Sequence, residues 1–205
     1  MKKISLMMLI CVIALMTACG GTPKPEKTVA KYLDLAKEAK YTEMKELVMT
    51  EDNKSKLEML ATEDEDTKEL TEYIKNCGKK IEYKILETEI DNFNATVKVS
   101  CKFVDGTPFM KAVISDVIKK TFASAGNGSS LTEEEINKIY TDSINEQLGK
   151  TEETFVEKTL EIQLDQEGDT WVIDDDENVL YNVIMANLVE FGSALNNSVA
   201  SKVTE

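Results

Sequence analysis

Ala95-Thr96-Val97-Lys98-Val99-Ser100-Cys101-Lys102-Phe103 alternates apolar and polar residues without a break. Successive side chains of a strand point to opposite faces, so one face collects Ala95, Val97, Val99, Cys101 and Phe103 while Thr96, Lys98, Ser100 and Lys102 meet water. Upstream, Ile81, Tyr83 and Ile85 alternate with Glu82 and Lys84, and the turn-forming pair Asp91-Asn92 separates the two runs. This pattern predicts a half-buried antiparallel hairpin. Downstream, Val156, Leu160, Ile162 and Leu164 mark a further strand, Gln166-Glu167-Gly168-Asp169 turns it, and Trp171 and Ile173 carry the return. About four antiparallel strands with a common apolar face are expected.

Helical periodicity flanks these strands. Pro25 suits a first helical position, and Val29, Tyr32, Leu33, Ala36 and Lys40 recur behind it at helical spacing. Met44, Leu47 and Val48 suggest a second stretch, followed by helices over Lys54 to Ala61 and Asp64 to Asn76, the latter ending near Gly78. The acidic run Glu63-Asp64-Glu65-Asp66 suits a helix N-terminus better than a metal site. Between the hairpin and the later strands, Phe109 to Phe122 shows a wide apolar face. Ala125 to Ser130 is a loop, and Thr132 with Glu135 spells a capping box opening the next helix. These two helices are expected as a hairpin inserted into the sheet. After Asp174-Asp175-Asp176-Glu177, which lacks the spacing of a calcium loop, Asp176 is expected near an N-cap. One last helix, Val179 to about Leu195, is apolar around most of its circumference and calls for cover.

Composition removes whole classes of chemistry. The chain has no histidine, and all 24 of its basic residues are lysines. Nucleophile systems that need an imidazole base, histidine zinc sites and bidentate arginine clamps are therefore excluded. A net charge of −14 also opposes nucleic acid and anionic lipid, which attract Lys and Arg. No cofactor and no metal are expected.

The N-terminus reads as an address. Met1-Lys2-Lys3 precedes an uncharged apolar run from Ile4 to Ala18, too short for the roughly 20 residues of a membrane-spanning helix. Leu15-Met16-Thr17-Ala18-Cys19-Gly20 resembles the lipobox of bacterial lipoproteins, although Met16 stands where such a motif usually has leucine. The resemblance implies cleavage before Cys19, a lipidated (palmitate-bearing) Cys19 and attachment at the extracytoplasmic face of the cell membrane. Two acyl chains hold a protein durably where one holds it marginally. Loss of Lys2 and Lys3 with the leader takes the charge from −14 to −16. Gly20 to Lys27 is then a tether of at most roughly 25 Å. The expected organisation is 1–18 leader, 19–27 lipidated cysteine and tether, and 28–200 a single α+β domain with the helical hairpin inserted at about 108–148. Of the remaining cysteines, Cys77 and Cys101 can pair, closing a loop worth roughly 3–4 kcal/mol, or can stay free as small hydrophobes.

Helices followed by an antiparallel sheet ending in Gly168-Asp169-Thr170-Trp171-Val172-Ile173-Asp174 resemble the cystatin-like cone of the nuclear-transport-factor-two-like superfamily. Small Gram-positive lipoproteins of that superfamily carry a similar first helix (Thr28, Val29, Tyr32, Leu33) and a similar ending (Gly168, Trp171, Ile173, Asp174). The resemblance implies an α+β fold with N-terminal helices packed on a curved sheet, often leaving an apolar pocket. Tyr83, Phe103, Leu160 and Trp171 would line it, or else pack as plain core. Lys158 is the one charged residue in register with the apolar stripe, near a strand start where snorkelling would free it.

These features lead to the expectation of a non-catalytic binding module that holds an apolar small molecule or docks a cell-envelope protein. A structural or protective envelope role is the alternative. A cone-fold enzyme using Asp and Tyr chemistry would require a buried carboxylate of raised pKa facing Tyr83 or Tyr181.

Overall fold

A computed structural model of the chain describes residues 24–62, 64–125 and 131–203. The leader, Cys19, most of the tether, Glu63 and the loop at 126–130 lie outside the described residues. Four strands form one antiparallel sheet in sequence order: β1 (Glu82–Asp91), β2 (Asn94–Asp105), β3 (Thr154–Glu167) and β4 (Thr170–Asp174). Eight α-helices accompany them among the described residues, so the fold is α+β with N-terminal helices against the sheet.

Both expected turns are present. Asn92 adopts φ 56° at the β1–β2 turn, and Gly168 adopts φ +61° between β3 and β4, a backbone region that favours these two residue types. The alternation of β2 sets the inner face: Ala95, Val97, Val99, Cys101 and Phe103 are all buried. Opposite them on β3 stand Leu164, Ile162, Leu160, Lys158 and Val156, so Lys158 lies on the inner face. A bulge between Ile85 and Glu87 shifts the register of β1 and leaves Leu86 exposed. The outer face is a lattice of polar pairs, with Lys98 and Glu161 3.0 Å apart and the Thr96 hydroxyl donating to Gln163 at 2.9 Å. Its polar surface faces water, as a one-sided antiparallel sheet allows.

Helices cover the inner face. α1 (Pro25–Lys37) begins with its proline, buries Val29, Tyr32, Leu33 and Ala36, and stops in a Schellman motif. There the Lys40 N–H donates to Leu35 at 2.9 Å and that of Ala39 to Ala36 at 3.1 Å, with Ala39 at φ 55°. α2 (Tyr41–Met44) continues into a 3₁₀ turn over Lys45–Leu47, after which Val48 bridges Ile173 and Met49 N–H donates to the Ile173 carbonyl at 2.9 Å, covering the β4 edge. α3 (Glu51–Ala61) starts under the Thr50 hydroxyl, and α4 (Lys68–Gly78) follows a 3₁₀ turn over Glu65–Thr67. Between β2 and β3, α5 (Thr107–Ala125) and α6 (Glu133–Gln147) run as a pair, and the capping box of Thr132 and Glu135 opens α6. No helix among the described residues is long and apolar enough to cross a membrane.

The C-terminal segment differs from expectation. It is not one helix but two, α7 (Val179–Ile184) and α8 (Leu188–Val203). A second Schellman motif divides them: Asn187 N–H donates to Asn182 at 2.9 Å and Ala186 N–H to Val183 at 3.2 Å, with Ala186 and Asn187 both left-handed. The break is held from outside by the Gly106 N–H, which donates to the Ala186 carbonyl at 2.7 Å. That approach needs a glycine, because a Cβ at 106 would lie 2.9 Å from the Ala186 oxygen. The cap of α7 also differs. Asn178 holds the N-cap position but its side chain does not cap the helix, and Asp175, rather than Asp176, accepts from Leu180 and Tyr181 N–H, at 2.9 Å each.

Candidate functional site

The two C-terminal helices roof part of the inner sheet face and leave a cavity of about 410 Å³ beneath them. Phe103 of β2 and Leu160 of β3 form its floor; Val179 and Val183 of α7 and Val189 of α8 form its roof; Lys158, Glu177, Asn178, Asn182, Glu190 and Ser193 supply polar groups. Its size falls in the range of small-molecule sites, which are mostly apolar with a few placed polar groups. The floor residues point there because β2 and β3 pair in register, so alternate side chains of both strands rise on one side.

A hydrogen-bonded hub joins the cavity to the helix break. Lys158 donates to Asn187 Oδ1 at 3.3 Å and to Glu190 Oε2 at 2.6 Å. Asn182 donates to the same Asn187 oxygen at 2.9 Å and accepts from Glu190 N–H at 3.1 Å. Asn187 in turn donates to Asp105 at 3.2 Å, and Asp105 also accepts from Thr107 N–H at 3.1 Å. Partial burial works to raise the Asp105 carboxyl, but the bonds from Thr107 and Asn187 and the charge of Lys158 outweigh it and hold the group below its usual range. Lys158 is therefore no free snorkelling chain. It sits four residues inside β3, with its ammonium tied to Asn187 at the α7–α8 break and to Glu190 on α8.

Only two of the four anticipated lining residues meet at this cavity. Phe103 and Leu160 do. Tyr83 instead packs under α1, donating its hydroxyl to the Ala30 carbonyl at 3.2 Å; burial first, then the neighbouring Asp34, push the phenol up to about 12. Trp171 is buried in the main core at the far end of the sheet, where its carbonyl accepts from the Thr28 hydroxyl at 3.4 Å. The pairing left open for Cys77 and Cys101 is not made: both are free thiols, Cys101 in the main core and Cys77 in a separate cluster with Val104 and Ala186. Burial pushes Cys101 up to about 12 and Cys77 up to about 11, so neither is a thiolate nucleophile at neutral pH. Cys19 lies outside the described residues.

No protein-family model matches the chain, and no curated protein matches it. Among solved structures it is similar to that of a candidate lipoprotein, ycdA, from Bacillus subtilis, at 18% identity and a TM-score of 0.40. The match covers 81% of this chain and 48% of that one, so the chain spans about half the length of that structure. A superposition this loose assigns neither family nor activity.

Two further places hold titratable groups. A second cavity of about 330 Å³ lies between the ends of α4 and α6, lined by Tyr73, Cys77, Asp105 and Phe109 among others, with the Tyr73 and Phe109 rings stacked 4.0 Å apart. Asp175 is buried, and burial raises its pKa despite the backbone N–H bonds from Leu180 and Tyr181. Both its oxygens accept from the first turn of α7, which is the work of a cap rather than of a base. Among the described residues no group of three His, Cys, Asp or Glu side chains is placed to hold a metal ion. Sequence reasoning missed Asn182, Asn187 and Glu190. Asn187 was detectable, since asparagine tolerates the left-handed conformation at which helices stop.

Proposed function

We propose that the protein is a lipid-anchored, extracytoplasmic, non-catalytic binding module that holds a small, largely apolar molecule beneath α7 and α8. The cavity carries this reading: a floor of Phe103 and Leu160 meets a roof of Val179, Val183 and Val189 around one cation. Binding rather than catalysis is supported by the absence of histidine and by the use of Asp175 as a helix cap. The anchor rests on the leader and on Cys19, five residues before Lys24, where the described chain begins.

Native mass spectrometry of the full chain extracted from membranes tests it. The wild-type protein is expected to carry one small-molecule adduct, and Ser193→Trp, a rim substitution that fills the cavity from its exposed side, to lose it. An adduct retained by Ser193→Trp, or none on either protein, refutes the cavity as the site. Docking of an envelope protein is a second reading, favoured by Ile118, Phe122 and Ile136, which stand exposed on α5 and α6 although they are large and apolar.

A further inference from the structure

We infer that the cavity takes an amphipathic carboxylate, whose hydrocarbon part lies against Phe103, Leu160 and Val183 and whose carboxylate replaces Glu190 on the Lys158 ammonium. It rests on the proposed use of the cavity as the binding site and names the chemistry that this site selects.

Lys158 is the one lysine on the inner face of the four strands, where the buried residues of β2 and β3 are apolar. Its side chain is half-buried, 34% exposed, so the part withdrawn from water calls for acceptors. The two acceptors provided are unlike one another. Asn187 is fixed: its backbone forms the left-handed break, its amide donates to Asp105 and its oxygen also accepts from Asn182. Glu190 is loose, because its side chain is 62% exposed on α8 and holds Lys158 by a single contact at 2.6 Å. An ion pair this open contributes roughly 0–1 kcal/mol. An ammonium has three N–H donors, so an incoming carboxylate can use both the one that Asn187 and Glu190 leave over and the one that Glu190 gives up. The site thus presents a pre-oriented cation whose present carboxylate partner is exchangeable.

Charge narrows the ligand further. A cationic head group seated at Lys158 would be repelled by it, and would pair instead with Glu177 or Glu190 away from the ammonium. A polyanion would have to enter past Glu177 and Glu190, on a chain of net charge −14. A single carboxylate on an apolar body satisfies both conditions, and it takes the place of the one carboxylate that already occupies the position.

The test uses the full chain in nanodiscs of neutral phosphatidylcholine, with radiolabelled octanoate and 1-octanol as probes in equilibrium dialysis and empty nanodiscs subtracted. Octanoate is expected to bind about tenfold tighter than octanol, the size of one charge-assisted hydrogen bond. Lys158→Met should remove the preference for octanoate over octanol, while Glu190→Gln, which removes the competing carboxylate from an exposed position, should tighten octanoate. Equal affinities for the two probes, or Glu190→Gln leaving octanoate unchanged or weaker, would overturn the carboxylate assignment alone, with the cavity retained as an apolar site. Failure of both probes to bind, or octanoate binding that survives Ser193→Trp, would overturn the cavity itself. If Lys158→Met does not fold, Glu190→Gln decides.

Discussion

Asp175 shows how one side chain can serve two opposed demands. Its oxygens accept from Leu180 and Tyr181 N–H at 2.9 Å, which favours the charged form, yet burial of the group raises its pKa overall. A folded-state pKa above the unfolded one means that the folded chain binds the proton more tightly. Its contribution to stability is complete below the ordinary aspartate value of about 3.9 and declines as pH rises through the raised folded value. Asp175→Asn keeps the shape without the titration. The urea midpoint of the wild type, taken relative to that of Asp175→Asn, should therefore fall as pH is raised above about 4. A wild-type midpoint that rises relative to the variant would mean that the N–H bonds outweigh burial. Lys158 poses the complementary case, a cation kept on an apolar face by a fixed amide and a loose carboxylate.

At the level of elements, the helix ends determine more than the helix bodies. α1 and α7 both stop in Schellman motifs, and both place a non-glycine residue at the left-handed position, Ala39 in one and Ala186 in the other. Ala39 is spaced one residue past the cap of α1, where glycine is the favoured residue. Ala39→Gly should stabilise the protein by about 0.5–1 kcal/mol, the left-handed penalty for an L side chain less the extra unfolded entropy of glycine. Chemical denaturation measures this directly, and a destabilised variant would show that the Ala39 methyl contributes more by packing than its backbone costs. Ala186 is different, since it is buried and its carbonyl accepts from Gly106. That contact brings the end of β2 to the α7–α8 break and so places the roof over the cavity floor.

For the whole molecule, the negative charge bears on the proposed anchor. With a formal charge of −14 for the full chain, the surface gains nothing from anionic lipid, so under the proposed reading the acyl chains at Cys19 supply the membrane attachment. Cells fed labelled palmitate should incorporate it into the wild-type chain and not into Cys19→Ala, and the variant should retain its leader. Label on the variant, or none on the wild type, would remove the extracytoplasmic assignment. The cavity is unaffected by that outcome, because its walls all come from Phe103 and residues after it.

What was legible beforehand was local. Strand alternation in Ala95 to Phe103, the turns at Asn92 and Gly168, Pro25 at the start of α1 and the Thr132–Glu135 box each depend on a few neighbouring residues, so sequence by itself determined the α+β order of elements. Even Lys158 was visible as a charge in an apolar stripe. Tertiary structure alone decided which acceptors that charge meets. Asn182, Asn187 and Glu190 come 24 or more residues after Lys158, and the α7–α8 break is where Gly106, Asp105 and Lys158 meet them in space. The same long-range packing sent Tyr83 under α1 and Trp171 into the core while leaving Phe103 and Leu160 beside a cavity. Periodicity tells which face of a strand is apolar; it does not tell which part of that face the helices fill and which part they merely span.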